Sequence, residues 1–193
     1  MQILKDEYPT AEIKEVADVE TLLKEVARED WDLVISDLDM PGRSGLDGLM
    51  HIKQLKPLLP VLILSIYSEE LYAMRALKAG ASGYLNKNSA PHELIKAIER
   101  IRIGRKYITA DMAEKLIDSG ASTLPHEFLT NREFEIFTLL AGGKSTSQIA
   151  NALSVAATTV STHRNAILQK MNLTSNADLT RYALTHHILS DIG

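Results

Sequence analysis

Three side chains of complementary chemistry each come at the end of a short apolar segment. Asp37 follows residues 31–36, Ser65 ends Val61–Ser65, and Lys87 ends residues 83–87. Together, a carboxylate, a hydroxyl and an ammonium group suit a phosphorylated aspartate, because they supply a nucleophile, a partner for a phosphoryl oxygen and a counter-ion. Asp37 alone could equally cap the turn that follows it, since Asp is common at such turns.

The segments between these side chains indicate how they are brought together. Each apolar segment is short and aliphatic, as in a buried parallel strand. Helical spacing follows each one, at Leu46, Leu49 and Ile52, at Leu71, Met74 and Leu77, and at Leu94, Ile98 and Ile101. Ser89 is the predicted N-cap of the last of these helices, with Pro91 in its first turn. Alternating strands and helices predict right-handed crossovers and one parallel sheet, whose edge receives Asp37, Ser65 and Lys87.

These residues resemble the receiver domain of two-component response regulators. Asp37 matches the phospho-acceptor, Ser65 the switch hydroxyl, Tyr84 the switch aromatic residue and Lys87 the family's lysine. The segments Asp-Met-Pro-Gly and Gly-Ala-Ser-Gly-Tyr-Leu around them match as well. The resemblance implies a flavodoxin-like α/β fold and a sensor histidine kinase that phosphorylates Asp37. It also implies Mg²⁺ held by Asp37, the backbone carbonyl of Asp39 and a pair of acidic residues.

The amino end departs from the receiver pattern. A receiver opens with a buried strand that carries the acidic pair, whereas residues 1–7 here resemble the last turns of the first helix. Residues 11–17 are predicted to form the second strand, and Asp18 to cap the next helix. The first strand is therefore expected to be missing, either by truncation or in a degenerate receiver. We then expect doubtful Mg²⁺ binding, inefficient phosphate uptake and an incompletely folded sheet.

The second half of the chain shows only helical patterns. Thr130 with Glu133, and Ser145 with Gln148, have the spacing of capping boxes that open two helices. Two further helices are predicted over roughly residues 158–171 and 176–184. A short helix, a tight turn and a longer helix is the geometry of a helix-turn-helix. Residues 129–184 resemble the LuxR-type helix-turn-helix domain through Leu-Thr-x-Arg-Glu, Ile-Ala, Thr-His-Arg and Leu-x-Arg-Tyr-Ala-Leu.

One face of the third predicted helix is polar and is the candidate DNA-reading surface. Hydroxyls and amides can read base edges while cations contact phosphates. The candidate residues are Thr158, Ser161, Thr162, Arg164, Asn165, Gln169 and Lys170. The alternative interpretation is that this polar face is only exposed to solvent and contacts no DNA. From residue 126 onward five Lys/Arg balance five Asp/Glu, so modest affinity and dependence on homodimerisation are expected. Ser154 and Ala156 stand where the family usually has a turn Gly and a capping Ser.

Composition limits the remaining possibilities. The 193 residues, with 45% hydrophobic and 24% charged residues, are ordinary for a soluble globular protein, and the absence of cysteine excludes disulfides and thiolate chemistry. No apolar run approaches the ~18 residues of a membrane span, so a cytoplasmic protein without membrane contact is expected. The predicted domains are a receiver (1–105), a linker with a short helix (106–125) and a LuxR-type DNA-binding domain (126–193).

The sequence thus predicts a non-enzymatic transcription regulator that binds double-stranded DNA and is controlled by phosphorylation of Asp37. Two alternatives remain open. Asp37-Leu38-Asp39 after a buried strand also resembles the nucleophile motif of haloacid-dehalogenase-type phosphatases, although Met40 stands where that family has Thr or Val. The other alternative is a module that dimerises and binds DNA without phosphorylation.

Overall fold

A computed structural model describes residues 2–40, 45–67, 69–118 and 124–189. Its sheet has three parallel strands, β1 (Val34–Ser36), β2 (Val61–Ser65) and β3 (Gly83–Asn86), in the order β1-β2-β3. Val34 pairs with Val61, and Ile63 pairs with Tyr84. The central strand β2 is almost wholly buried, as its continuous aliphatic sequence predicts.

Ten helices complete the described part of the chain. In the first half they are α1 (Gln2–Glu7), α2 (Val19–Arg28), α3 (Gly45–Leu55), α4 (Glu69–Lys78), α5 (Pro91–Arg102) and α6 (Ala110–Asp118). In the second half, after a 3-10 helix at Pro125–Phe128, they are α7 (Asn131–Ala141), α8 (Thr146–Ala152), α9 (Ala157–Met171) and α10 (Asn176–Thr185). The predicted α/β domain followed by a four-helix domain is confirmed.

The sheet is covered by helices on both faces. Successive residues of β2 alternate between two clusters: Ile63 packs with the helices α2, α3 and α4, and Leu62 packs with α1 and α5. This follows from the two-residue period of a strand, which sends neighbouring side chains to opposite faces. The same topology brings the carboxyl ends of all three strands to one edge.

Two local predictions in this half are wrong. Residues 11–17 do not form a strand, because no strand of the described sheet pairs with them; Lys14 instead forms an ion pair with Glu25 of α2 at 2.5 Å. Ser89 does not cap α5: Ala90 occupies the N-cap without a side-chain bond, and the Ser89 N–H donates to the Asn86 carbonyl in the preceding turn. Asp18 does cap α2, accepting from the Thr21 N–H at 2.8 Å.

The four-helix half is organised by its helix caps. Both predicted capping boxes are present, and a third one, Ser175 with Asp178, opens α10. Phe137, Ile149 and Ile167 are fully buried between the helices. The predicted connection at residues 120–125 lies mostly outside the described residues, as does the Pro41-Gly42 loop.

Candidate functional site

Asp37 and Lys87 meet at the carboxyl edge of the sheet. The Lys87 ammonium donates to Oδ2 of Asp37, and the Asp39 N–H donates to Oδ1 at 3.1 Å. The two side chains remain 25% and 38% exposed, so a small reagent can reach the pair. Gly45 lets α3 begin against this loop, because a Cβ there would lie 2.5 Å from Cα of Leu38. The result is a fixed, accessible carboxylate with a cation beside it.

Ser65, at the end of β2, and Tyr84, on β3, hold the same peptide segment. Oγ of the buried Ser65 accepts from the Tyr67 N–H at 3.2 Å, and the Tyr84 hydroxyl donates to the Tyr67 carbonyl at 2.8 Å. Burial raises the pKa of Tyr84, so its hydroxyl stays a donor. Lys87 is tied to the same strand, since its N–H donates to the Ser65 carbonyl at 2.8 Å. Ser65, Tyr84 and Lys87 therefore all bond to one short stretch of backbone at residues 65–67, and Asp37 is joined to them through Lys87.

The described residues do not fit a Mg²⁺ site. Mg²⁺ requires close to six oxygen ligands in octahedral geometry. Within the described ranges no group of three or more His, Cys, Asp or Glu side chains could hold a metal ion. Asp37 and the backbone carbonyl of Asp39 are the only donors that the sequence assigns here, and Asp37 is already bonded to Lys87. These two donors alone leave most of the coordination sphere of Mg²⁺ unfilled.

Aromatic side chains connect this edge to the four-helix domain. The Tyr67 ring stacks on Tyr72 of α4 at 4.9 Å between centroids, and Tyr72 meets Phe134 of α7 edge-on at 5.3 Å. Arg75, one turn further along α4, lies 3.9 Å above the Phe134 ring. Since Ser65 and Tyr84 both bind the backbone of Tyr67, the row begins at the candidate site and ends in the other domain.

Arg75 also binds the backbone that precedes α7. Its guanidinium donates to the carbonyl of Leu129 at 2.9 Å and to the carbonyl of His126. We call these contacts of Tyr72 and Arg75 with Phe134, His126 and Leu129 the interdomain contact. Sequence reasoning missed it, because Arg75 looks like any cation on an amphipathic helix. The only local signal was the aromatic character of Tyr67 and Tyr72.

The candidate DNA-reading face of α9 is solvent-exposed while the interdomain contact is formed. The exposed residues on it are Thr158, Ser161, Thr162, Asn165, Gln169 and Lys170. The hydroxyls of Ser161 and Thr162 donate to carbonyls one turn back at 3.0 Å, which leaves oxygen lone pairs toward solvent. In the described residues the first domain therefore contacts the second without covering this face.

The two cations of the candidate surface, Arg164 and Lys170, are held by partners inside the domain. Nε of Arg164 donates to Oδ1 of Asn176 at 2.6 Å, which links α9 to the start of α10. The Lys170 ammonium donates to Glu133 at 2.6 Å. Glu133 is buried, and its pKa is lowered because the bonds from Lys170 and Thr130 outweigh its burial. Both cations thus have a structural role that the sequence did not reveal.

The turn before α9 carries the two departures noted in the sequence. Ser154 adopts a left-handed backbone conformation with φ of 53°, which a glycine would adopt without strain. Ala156 is the N-cap of α9 and makes no side-chain capping bond.

None of the helices in the described ranges combines the length and apolar character that crossing a membrane requires.

Two protein families match the chain, and they divide it as the fold does. The family described as "Response regulator receiver domain" matches residues 1–99. The family described as "Bacterial regulatory proteins, luxR family" matches residues 127–183.

Characterised relatives match over both domains. The "Oxygen regulatory protein NreC" of Staphylococcus carnosus is 34% identical over 183 residues, covering 90% of this chain and 84% of its own. The "Transcriptional activator protein ExaE" of Pseudomonas putida is 35% identical, with 92% and 85% covered. Among solved structures, RcsB of Salmonella enterica bound to the rprA promoter has a TM-score of 0.67 at 23% identity, covering 94% of this chain and 89% of that one. A LuxR-family response regulator from Aurantimonas has a TM-score of 0.54 at 30% identity, covering 62% and 91%.

Proposed function

We propose that this chain, which belongs to the response regulators with a LuxR-type output domain, regulates transcription through phosphorylation of Asp37. It is a response regulator with a receiver and a DNA-binding domain. The observation that supports Asp37 as the acceptor is its position at the carboxyl edge of the sheet, where it is bonded to Lys87 and where Ser65 ends the neighbouring strand β2.

Phosphorylation is a displacement at phosphorus. A carboxylate oxygen of Asp37 forms the new P–O bond while the bond from phosphorus to the donor's leaving group breaks. When the donor is a histidine kinase, the leaving group is the imidazole nitrogen, which takes up a proton and returns the histidine to its neutral form. Lys87 then neutralises charge on the phosphoryl oxygens, because it already lies beside Asp37. Ser65 donates its hydroxyl hydrogen to a phosphoryl oxygen and releases the Tyr67 N–H. Tyr84 follows the displaced Tyr67 carbonyl.

DNA recognition is assigned to α9. Its exposed hydroxyls and amides match what base edges in the major groove offer, and Asn165 is the strongest candidate for a base contact. The domain is formally neutral, so one copy gains little from phosphate contacts. A homodimer on double-stranded DNA would double those contacts. Such a regulator works in the cytoplasm, where its DNA and kinase are found.

The acceptor assignment is tested by treating the 193-residue chain with acetyl phosphate and mapping the phosphorylated residue by mass spectrometry. We expect slow labelling that is confined to Asp37 and absent from Asp37→Asn. The matched control is Asp39→Asn, which removes the neighbouring acid and should keep the label. Labelling that persists in Asp37→Asn would assign the acceptor elsewhere.

A further inference from the structure

The interdomain contact has an acidic side chain at its margin. Glu135 follows Phe134 on α7, forms an ion pair with Arg132 of the same helix at 2.7 Å and is 25% exposed. Burial raises the pKa of Glu135, the Arg132 charge lowers it, and Asp47 and Asp39 of the receiver raise it further. Helix α3, which carries Asp47, packs against α7, which carries Glu135. The acids that act on Glu135 therefore come from the domain that holds Asp37.

Tyr67 lies within the same group of charges. Burial, followed by the charges of Asp39, Glu135 and Asp37, raises the pKa of Tyr67 to about 12. The residue that Ser65 and Tyr84 hold is thus close to acids of both domains. Glu135 and Tyr67 are both only partly exposed, so charges near them are screened less than charges in open water.

We propose that the interdomain contact depends on charge: Arg75 holds it closed, and Glu135 opposes closure by repelling the acids beside Asp37. The part that links this to signalling rests on the proposed function. Phosphorylation replaces the single charge of Asp37 with a group carrying roughly −1.5 to −2. Added negative charge next to Asp39 and Asp47 would increase the repulsion on Glu135. The reading face is already exposed, so opening changes the position of the DNA-binding domain and not access to α9.

Arg75 and Glu135 have opposite expected effects. Arg75 contributes two hydrogen bonds from a charged donor and one cation–π contact, all directed at the other domain. Hydrogen bonds that involve a charged group are stronger than those between neutral groups, so losing Arg75 should favour the open form. Glu135 forms its ion pair with Arg132 of its own helix, so neutralising Glu135 removes repulsion between the domains without removing this kind of bond between them.

The test measures the ratio of closed to open molecules without any phosphate donor. The chain contains no cysteine, so exposed Glu20→Cys and Thr185→Cys can carry a spin-label or dye pair for distance measurement. Glu135→Gln should raise the closed-to-open ratio about 2–5-fold, as expected for one partly exposed charge pair. Arg75→Ala should lower it at least about 10-fold, and Arg75→Lys, which keeps the charge, should lower it less. Glu12→Gln, an exposed charge remote from the contact, should leave it unchanged.

A double-mutant cycle identifies the partner of Glu135. Asp47→Asn should also favour closure, and the combined variant should gain less than the product of the two single effects. The proposal is overturned if Glu135→Gln leaves the closed-to-open ratio unchanged or lowers it, or if both Arg75 variants stay closed. It is also overturned if the effect of the combined variant on this ratio equals the product of the effects of Glu135→Gln and Asp47→Asn. Because no donor is present, these outcomes are independent of whether Asp37 can be labelled.

Discussion

The two domains reach their folds by different means. The DNA-binding domain has its own core and local helix caps. Three of its helices begin with capping boxes, and its buried core includes Phe137, Ile149 and Ile167. The receiver has a three-stranded sheet whose first strand, β1, pairs on one side only among the described residues, with Ile35 half-buried. Local signals are thus sufficient for one domain, while the other depends on contacts between distant segments.

The side chains that respond to phosphorylation in the proposal are in the receiver, and the Tyr67–Tyr72 row leads from them to the DNA-binding domain. Local opening is generally easiest where fewer contacts hold the backbone. Among the described strands β1 is bonded on one side only, so we expect the sheet edge that carries Asp37 to change its arrangement most easily.

The largest effect is expected from truncating the core of the DNA-binding domain. Heating the chain should give a sharp transition from this domain and a weaker one from the receiver. Phe137→Ala should destabilise the DNA-binding domain by about 3–5 kcal/mol, a large part of a domain's stability, and should abolish or strongly lower the sharp transition in calorimetry. The matched control is Phe128→Ala: this ring is 63% exposed, so its loss should change little. If the thermal transition of the receiver is as sharp as that of the DNA-binding domain, the expected difference in cooperativity between the two domains is wrong.

The next largest effect concerns pH and the residue where the domains meet. Burial, with smaller contributions from Arg75 and His186, lowers the pKa of His126 from 6.5 to about 4. The unfolded chain therefore binds this proton more readily than the folded one. Neutral His126 therefore contributes to the free energy of unfolding above pH 6.5. This contribution, about 2–3 kcal/mol, is lost as the pH falls toward 4. Urea unfolding from pH 7 to 4 should show this loss, and His126→Gln should reduce it. If the free energy of unfolding falls equally with pH in the wild type and in His126→Gln, His126 is not the group responsible.

A smaller effect distinguishes structure from DNA contact on α9. Arg164→Ala removes both a cation and the bond to Asn176, whereas Asn176→Ala removes only the bond. If Arg164 contacts phosphate, its loss should weaken binding to all sequences more than the Asn176 change does, and should reduce the salt dependence. Asn165→Ala should relax base preference, costing about 1–3 kcal/mol at one position. Identical binding curves for Arg164→Ala and Asn176→Ala would limit Arg164 to a structural role.

The smallest effect is at the turn before α9. Ser154→Gly should stabilise the DNA-binding domain by about 1 kcal/mol, because glycine adopts the left-handed conformation of residue 154 without strain. Ser147→Gly, at an exposed position within α8, should have the opposite sign. Denaturant midpoints measure both. Destabilisation by Ser154→Gly would mean that the Ser154 side chain contributes more than its backbone strain costs.

The sequence predicted what depends on neighbouring residues. The caps at Asp18, Thr130 and Ser145 follow from spacings of three residues, and the strands β1 to β3 follow from short aliphatic runs. The common edge that gathers Asp37 and Lys87 follows from parallel connections.

What the sequence did not predict depends on distant partners. Residues 11–17 have strand-like composition, but a strand needs a neighbour, and none of the described strands provides one. The interdomain contact joins residues more than fifty positions apart, such as Arg75 and Leu129. The bonds of Arg164 and Lys170 inside the domain depend on how α7, α9 and α10 pack, which the polar pattern of α9 does not reveal.

The most direct test of phosphorylation control is the affinity of the whole chain for duplex DNA before and after acetyl phosphate treatment. The phosphorylated fraction should be measured in the same samples. The wild-type affinity should change in proportion to that fraction, because the added charge acts on the interdomain contact, and Asp37→Asn should show no change. An unchanged affinity in phosphorylated wild-type protein, or an equal response from Asp37→Asn, would contradict control of DNA binding through Asp37.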